Sequence, residues 1–193
     1  MPPVKDCAFP LKKKSAIFDR EGYKLKGNLT AMYKIDSIDQ KIVHLLMEDG
    51  RMQATDIARR IGDISERMAR YRIGNLIEKN VITVSAIVNP KALGMDVVAD
   101  VLLEVEADSI LDVAHKMAAF ENVSYVACSI GETDVSIQVL GRDTTEVYRF
   151  VTEAIGKVPG VRKTTISIVP LVIKDVFQWR IPAAVLSKDA MGR

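Results

Sequence analysis

The sequence predicts a two-domain α+β protein, and three observations carry that reading. Between residues 38 and 77, apolar side chains recur at helical spacing in three short runs. Residues 81–88 then form a β-rich run, Val81-Ile-Thr-Val-Ser-Ala-Ile-Val88. From Val97 to Val169, strand-like alternation and helical stripes follow one another in the order βαββαβ.

The first half is justified element by element. Ile38, Ile42, Leu45 and Leu46 share one helix face, with Asp36 or Ser37 to cap its start and Gly50 to stop it. A second helix is expected from about Thr55 to Ile61, burying Ile57, Ala58 and Ile61 and ending at Gly62. The third begins at Ser65, with Glu66 in its first turn. It is expected to bury Met68, Ala69, Ile73, Leu76 and Ile77 and to end at Asn80 as a left-handed cap. Close crossing of the last two helices asks for a small residue, supplied by Ala58, and a turn residue tolerant of positive φ, supplied by Gly62. With the β-rich run as a wing, residues 34–88 read as a winged helix-turn-helix, and residues 89–95 as a hinge.

In the second half, Val97, Ala99, Val101, Leu103 and Val105 alternate with Asp100, Glu104 and Glu106, a strand with one dry face. Ile110, Val113, Ala114 and Met117 make a helical stripe. Val123–Ile130 and Thr133–Leu140 read as strands around Gly131-Glu132. Val147, Phe150, Val151, Ala154 and Val158 form a second stripe, broken by Pro159-Gly160, and Val161–Val169 returns as a strand. Residues 96–175 therefore read as a ferredoxin-like sheet with both helices on one face. Its second face is expected to be too apolar to stay wet, which predicts self-association. Residues 1–33, with Lys12 to Lys14, read as a basic, partly mobile extension, and 176–193 as a tail. Phe177 and Trp179 in that tail suit either their own domain or a subunit contact.

Bulk properties narrow the function. At 193 residues, 48% hydrophobic and 27% charged, the chain fits a cytoplasmic globular protein. No apolar run approaches the ~18 residues of a membrane helix. Two cysteines, Cys7 and Cys128, make no disulfide framework, and Cys128 is expected to be buried in a strand. With only His44 and His115 besides, no metal site, cofactor site or catalytic set is assigned. The net charge of +2 hides an asymmetry. Residues 1–34 carry eight bases against three acids, +5, whereas residues 96–158 carry four against twelve, −8. That division suits a protein that touches a polyanion with one end.

The third helix supplies the means. Arg67, Arg70, Tyr71 and Asn75 fall away from its apolar stripe, with Arg72 close by. Arginine fits guanine edges or phosphates, and Tyr and Asn can hydrogen-bond either. The same arginines on a bare three-helix bundle would be a solvated face. The wing and the separate βαββαβ domain favour double-stranded DNA as the partner.

The chain resembles the Lrp/AsnC (feast/famine) family of prokaryotic transcription regulators from Ile35 to about Lys174. The resemblance rests on Ile35-Asp-Ser-Ile-Asp-Gln-Lys-Ile42, Ser65-Glu-Arg-Met-Ala-Arg-Tyr-Arg-Ile73 and Asn80-Val-Ile82. It continues in Asn89-Pro-Lys-Ala-Leu-Gly94, Gly131-Glu-Thr-Asp134 and Pro159-Gly-Val161. It implies a winged helix-turn-helix joined to a ligand-sensing βαββαβ (RAM) domain, and homodimers assembling into tetramers or octamers with amino acids as effectors. Ser65, Arg67, Met68, Tyr71 and Arg72 match the family's DNA-facing positions. Small hydroxyl residues are common in the family where Arg67 and Met68 stand, and the turn holds one extra residue near Asp63. Gly131, Glu132, Thr133 and Asp134 match the turn that lines the family's effector pocket. Exposed amides there suit a carboxylate, Thr133 adds a hydroxyl, and Asp134 could accept from an ammonium. Without the family, the same tetrapeptide reads as a plain hairpin turn. Two other functions compete: a ligand-binding subunit that controls an enzyme without touching DNA, and an enzyme subunit of tetrapyrrole metabolism. The arginines of the third helix oppose the first, and the single His of the sheet domain opposes the second.

Overall fold

Asp36 sets the start of the first helix, α1 (Ser37–Glu48), in a computed structural model that describes residues 33–186. Its carboxylate accepts from the Asp39 amide at 2.8 Å, and the Asp39 carboxylate accepts in return from the Asp36 amide at 3.4 Å. This is a capping box with aspartate in place of the usual Glu or Gln. Cys7, Lys12 to Lys14 and the rest of the basic extension lie outside the described residues.

The described chain divides into two units, residues 33–84 with 180–186, and residues 85–179. In the first, α1 is followed by α2 (Ala54–Ile61) and α3 (Glu66–Glu78). Gly62 ends α2 at φ 86°, and Ser65 caps α3 by accepting from the Met68 amide at 3.2 Å. At the far end of α3, Asn80 sits at φ 55°. The amides of Asn80 and Val81 return to the carbonyls of Ile77 and Leu76, a Schellman closure built on asparagine. Ile42, Val43, Ile57, Ala58, Ala69 and Leu76 are buried together, and the paired alanines let α2 and α3 approach. Ile181 joins the edge of this cluster, and the Gln40 side-chain amide donates to its carbonyl at 2.9 Å.

Two expectations for α3 are corrected. Met68 and Ile77 are exposed rather than buried. At about 100° per residue they lie roughly 90° to either side of the stripe formed by Ala69, Ile73 and Leu76. The β-wing also fails. Val81–Val88 is not a strand, because among the described residues no neighbour completes its ladder, and Val84, Ile87 and Val88 are left exposed. The Asn89–Gly94 stretch is an ordered turn. Asn89 accepts from the Lys91 amide at 3.2 Å, Pro90–Leu93 forms one 3₁₀ turn, and Gly94 closes it at φ 76°.

The second unit holds β1 (Val97–Val105), α4 (Ile110–Ala118), β2 (Val123–Cys128), β3 (Val135–Gly141), α5 (Thr144–Glu153) and β4 (Val161–Val169). The sheet order is β2-β3-β1-β4 with every neighbouring pair antiparallel. One core takes Ala99, Val101, Leu103 and Val105 from β1, Val113 and Met117 from α4, and Val147 and Val151 from α5. Both helices therefore cover the same sheet face, and Phe120 and Phe150 meet edge to face at 5.2 Å.

The other sheet face is not uniformly apolar as expected. Val98 lies between Leu140 and Val169, but the next row is Asp100 between Gln138 and Ser167. Gln138 donates to Asp100 at 3.3 Å, and Lys163 pairs with Glu104 at 2.8 Å. Cys128 is a further correction, since it ends the outer strand β2 exposed. Beyond β4, Leu171, Ile173, Val176, Phe177 and Trp179 are all exposed. No helix among the described residues is long and apolar enough to cross a membrane.

Gly160 shows how tightly this unit closes. It sits at φ 95°, and a Cβ there would come within 2.8 Å of the Ser109 Cβ and 3.2 Å of Val113 Cγ2. Gly160→Ala is expected to destabilise the sheet unit by about 1–3 kcal/mol, through backbone strain and overpacking together. Urea denaturation checks this, and an unchanged midpoint would contradict the close packing of α4 against the β4 entry.

Candidate nucleic-acid interface

The outward arc of α3 is set by what its inward arc must do. Ala69 and Leu76 are buried and Ile73 packs beside them, so Arg67 and Tyr71 fall on the opposite side. Met68 borders that arc, 44% exposed, and Tyr71 is 65% exposed. Asn75 is half-buried at its margin. Ser65 uses its oxygen to cap the helix, which pins the first turn carrying Arg67 and Met68.

The arginines do not share one fate. Arg70 pairs along α3 with Glu66, whose carboxyl is held below its ordinary value chiefly by Arg70, and then by Thr55 at the start of α2. Arg59 pairs with Asp56, and Arg60 with Glu48. These pairs are exposed, cost little to break, and leave their arginines free to exchange a carboxylate for a phosphate. Arg67 is exposed and has no acidic partner among the described residues.

Arg72 does not join the outer face, which corrects the expectation for it. Its Nη1 donates to Asp36 Oδ2 at 2.7 Å and to Asp39 Oδ1 at 2.8 Å. Only 22% of its side chain is exposed, and 3% of that of Asp39. Tyr33 donates to the remaining oxygen of Asp39 at 3.2 Å. Burial opposes ionisation of Asp36, but the Asp39 amide and the Arg72 guanidinium outweigh it and hold the carboxyl low. Burial likewise works against the Arg72 charge, and its two carboxylate partners more than restore it, raising the pKa. Burial, then Asp39, raises the Tyr33 phenol. The sequence offers Asp36 or Ser37 as the cap, of which Asp36 takes the role, and local rules do not show the bridge. The one available signal was Asp39, an acid at a helix position between Ile38 and Ile42 that the apolar stripe leaves no room to solvate.

The Gly131–Asp134 segment, expected to line an effector pocket, links β2 to β3. Gly131 and Glu132 are exposed, and Thr133 and Asp134 half-buried. The Ser129 amide donates to the Asp134 carbonyl at 2.8 Å, and the Asp134 amide to Leu103 at 2.9 Å. Asp134 Oδ2 accepts from the Val105 amide at 2.7 Å, where the β1–β4 register shifts. The Arg162 guanidinium approaches the same oxygen at 4.0 Å. That carboxylate oxygen is thus already engaged with the backbone. An open groove of about 410 Å³ lies elsewhere in the unit, lined by Thr144, Thr145, Val147, Tyr148, Ile166 and Ile168. Among the described residues, no three metal-ligating side chains converge.

Comparison with known proteins bears on the family and the fold. Residues 35–77 match the AsnC-type helix-turn-helix domain, and residues 89–180 the PF0864 C-terminal dimeric alpha+beta barrel domain. An HTH-type transcriptional regulator of Pyrococcus abyssi is 35% identical over 142 residues, covering 73% of this chain and 89% of that protein. The HTH-type transcriptional regulator LrpA of Pyrococcus horikoshii is 32% identical over 136 residues, 70% of this chain and 96% of LrpA. Among solved structures, Escherichia coli AsnC aligns with a TM-score of 0.69 at 22% identity, over 75% of this chain and 99% of AsnC. A transcriptional regulator of Neisseria meningitidis, solved as an L-Met complex, aligns at 0.68 and 23% identity, over 74% and 94%. At such identities the structural likeness speaks to the fold.

Arg72→Ala should destabilise the helical unit by about 3–5 kcal/mol, because Asp39 would remain buried without its counter-charge. Asp36 is depressed in the fold, so its contribution is present above the ordinary aspartate pKa, about 4, and is lost as pH falls below it. Thermal melts from pH 7 to 3 should show that acid loss in the natural chain and a shallower one in the variant. Equal stability of the two at pH 7 would refute the bridge. At the other unit, Asp134→Ala should cost about 1–2 kcal/mol by leaving the Val105 amide without its acceptor. A denaturation midpoint unmoved by that change would return Asp134 to a purely ligand-facing role.

Proposed function

The chain belongs to the Lrp/AsnC family of helix-turn-helix transcriptional regulators, and on that premise we propose that α3 is its recognition helix and that residues 85–179 sense a small molecule. The observation that carries the proposal is the arc of Arg67, Met68 and Tyr71, facing solvent on a helix that turns Ala69 and Leu76 inward and is held in that rotation by Arg72. A helix presented this way enters the major groove with its first turn toward the base edges, and exposed arginines such as Arg70 can contact phosphates. Asn75 contributes at the margin, and Ser65 holds the first turn in shape.

The sensing half is proposed to bind an amino acid or a related metabolite at the Gly131–Asp134 turn. The exposed backbone of Gly131 and Glu132 and the Thr133 hydroxyl would face the ligand, with Asp134 shaping the turn through Val105. The family description of a dimeric barrel and the exposed Leu171, Ile173, Val176 and Phe177 support self-association into dimers. Tetramers or octamers would then bring several reading heads to one DNA. A regulatory rather than catalytic role is favoured by a sheet unit whose sole histidine is the exposed His115.

Selection of bound duplexes from a random pool by the full chain, at stated salt and with a panel of amino acids, tests the proposal. Related half-sites about 10 base pairs apart are expected, because two copies of α3 reach successive major grooves. Affinity should fall linearly with the logarithm of salt concentration. One amino acid should change affinity or sedimentation by several-fold. Recovery of no enriched sequence would end the DNA reading. Enrichment indifferent to every amino acid would end the effector reading alone.

A further inference from the structure

We propose that Arg67 and Met68 are the base-reading residues of α3, Arg67 taking the N7 and O6 acceptors of a guanine and Met68 the C5-methyl of a thymine at most two base pairs away. The proposal rests on the DNA-binding reading above and names the part of the base edge that the helix reads.

Arg67 differs from the other arginines around it. Within residues 51–72, Arg51, Arg59, Arg60, Arg70 and Arg72 each have a carboxylate partner, and among the described residues Arg67 alone has none. A guanidinium already bound to a carboxylate must give up part of its planar fork before it can bond a base bidentately. The Arg67 fork has no such competitor. Its position matters equally: it is the second residue of α3, in the turn that Ser65 fixes, and it points away from Ala69 and Leu76. The first turn of a recognition helix lies deepest in the groove. An arginine there with both Nη groups free matches the paired guanine acceptors better than a single phosphate oxygen.

Met68 follows directly. It is an apolar side chain 44% exposed on a polar helix, with Tyr71 one turn further along the same arc. Its backbone amide is occupied by Ser65, so only the thioether chain is left to make contacts outward. That chain offers no strong hydrogen bond, and the one apolar group on the major-groove edge of DNA is the thymine methyl. Arg67 and Met68 leave the same first turn about 1.5 Å apart along the helix axis, less than the spacing of about 3.4 Å between nucleotides along one strand. Neighbouring residues therefore reach bases that are neighbours or one step removed.

The test uses the full chain and the duplex recovered by selection, resynthesised with 7-deazaguanine for guanine or uracil for thymine, one position at a time. One guanine per half-site should lose about 5- to 100-fold in affinity on loss of N7. One thymine within two base pairs of it should lose about three- to fivefold on loss of its methyl. In Met68→Ser the uracil effect should vanish while the deazaguanine effect persists, and in Arg67→Ala the deazaguanine effect should vanish. Both variants alter exposed side chains, so unchanged melting confirms that the fold is intact. Natural binding to every substituted duplex would overturn this assignment and leave DNA recognition standing. Failure to bind any DNA would overturn both. A Met68→Ser variant that changes sedimentation but not uracil sensitivity would place Met68 in a protein contact and overturn its role here.

Discussion

A guanidinium held between two carboxylates governs what the helical unit presents to the outside. Asp36 caps α1, Asp39 completes that cap, and Arg72 of α3 bonds both. Few atoms thus serve three ends: the start of one helix, the rotation of another, and the neutralisation of a nearly buried acid. Rotating α3 by one residue, about 100°, would take Arg72 away from both acids. The arc carrying Arg67 and Tyr71 is the one left over once Arg72, Ala69 and Leu76 have turned inward. A buried ion pair often adds little net stability over an apolar replacement. Its value in this unit is directional, because only one rotation of the helix satisfies both carboxylates.

The sheet unit uses a carboxylate in a related way. The register between β1 and β4 shifts at Glu104 and Val105, and the Val105 amide turns to Asp134 for its acceptor. Because the Asp134 amide also bonds Leu103, the turn before β3 is tied to the end of β1 at two points. The exposed backbone at Gly131 and Glu132 is therefore presented by a fixed frame. Such an arrangement suits a surface that must recognise a partner without first becoming ordered.

Much of this was legible in the sequence where a single periodicity or a single local rule decides the outcome. The βαββαβ order followed from alternation in β1 and from the stripes through Val113 and Val147, and each of those residues is buried. Ser65, Gly62 and Asn80 have the terminal roles that their chemistry prescribes. What local rules cannot carry is a bond between residues 33 or 36 positions apart. The family resemblance places Arg72 among the DNA-facing positions, and nothing within a helical turn of it reveals Asp36 or Asp39. The same limit applies to Asp134, whose engagement with Val105 depends on an irregularity in strand pairing that no residue type announces.

The failures on the apolar side are of another kind. Val84, Ile87, Val88, Met68 and Ile77 were expected in a strand or a core, and all stand exposed. Hydrophobic pattern identifies residues that avoid water, and it does not say that the chain itself supplies the cover. For Ile77 the departure is slight, one position beyond Leu76 at the shoulder of the stripe. In the 81–88 run it begins after Ile82, where the chain leaves the helical core and finds no neighbouring strand among the described residues. Met68 is different again, lying beside a free guanidinium in a turn fixed by Ser65. Local consistency tends to fail in a native protein where another requirement overrides it. On the proposed reading, that requirement in the first turn of α3 is DNA, whose major-groove edge carries both the guanine acceptors and the thymine methyl.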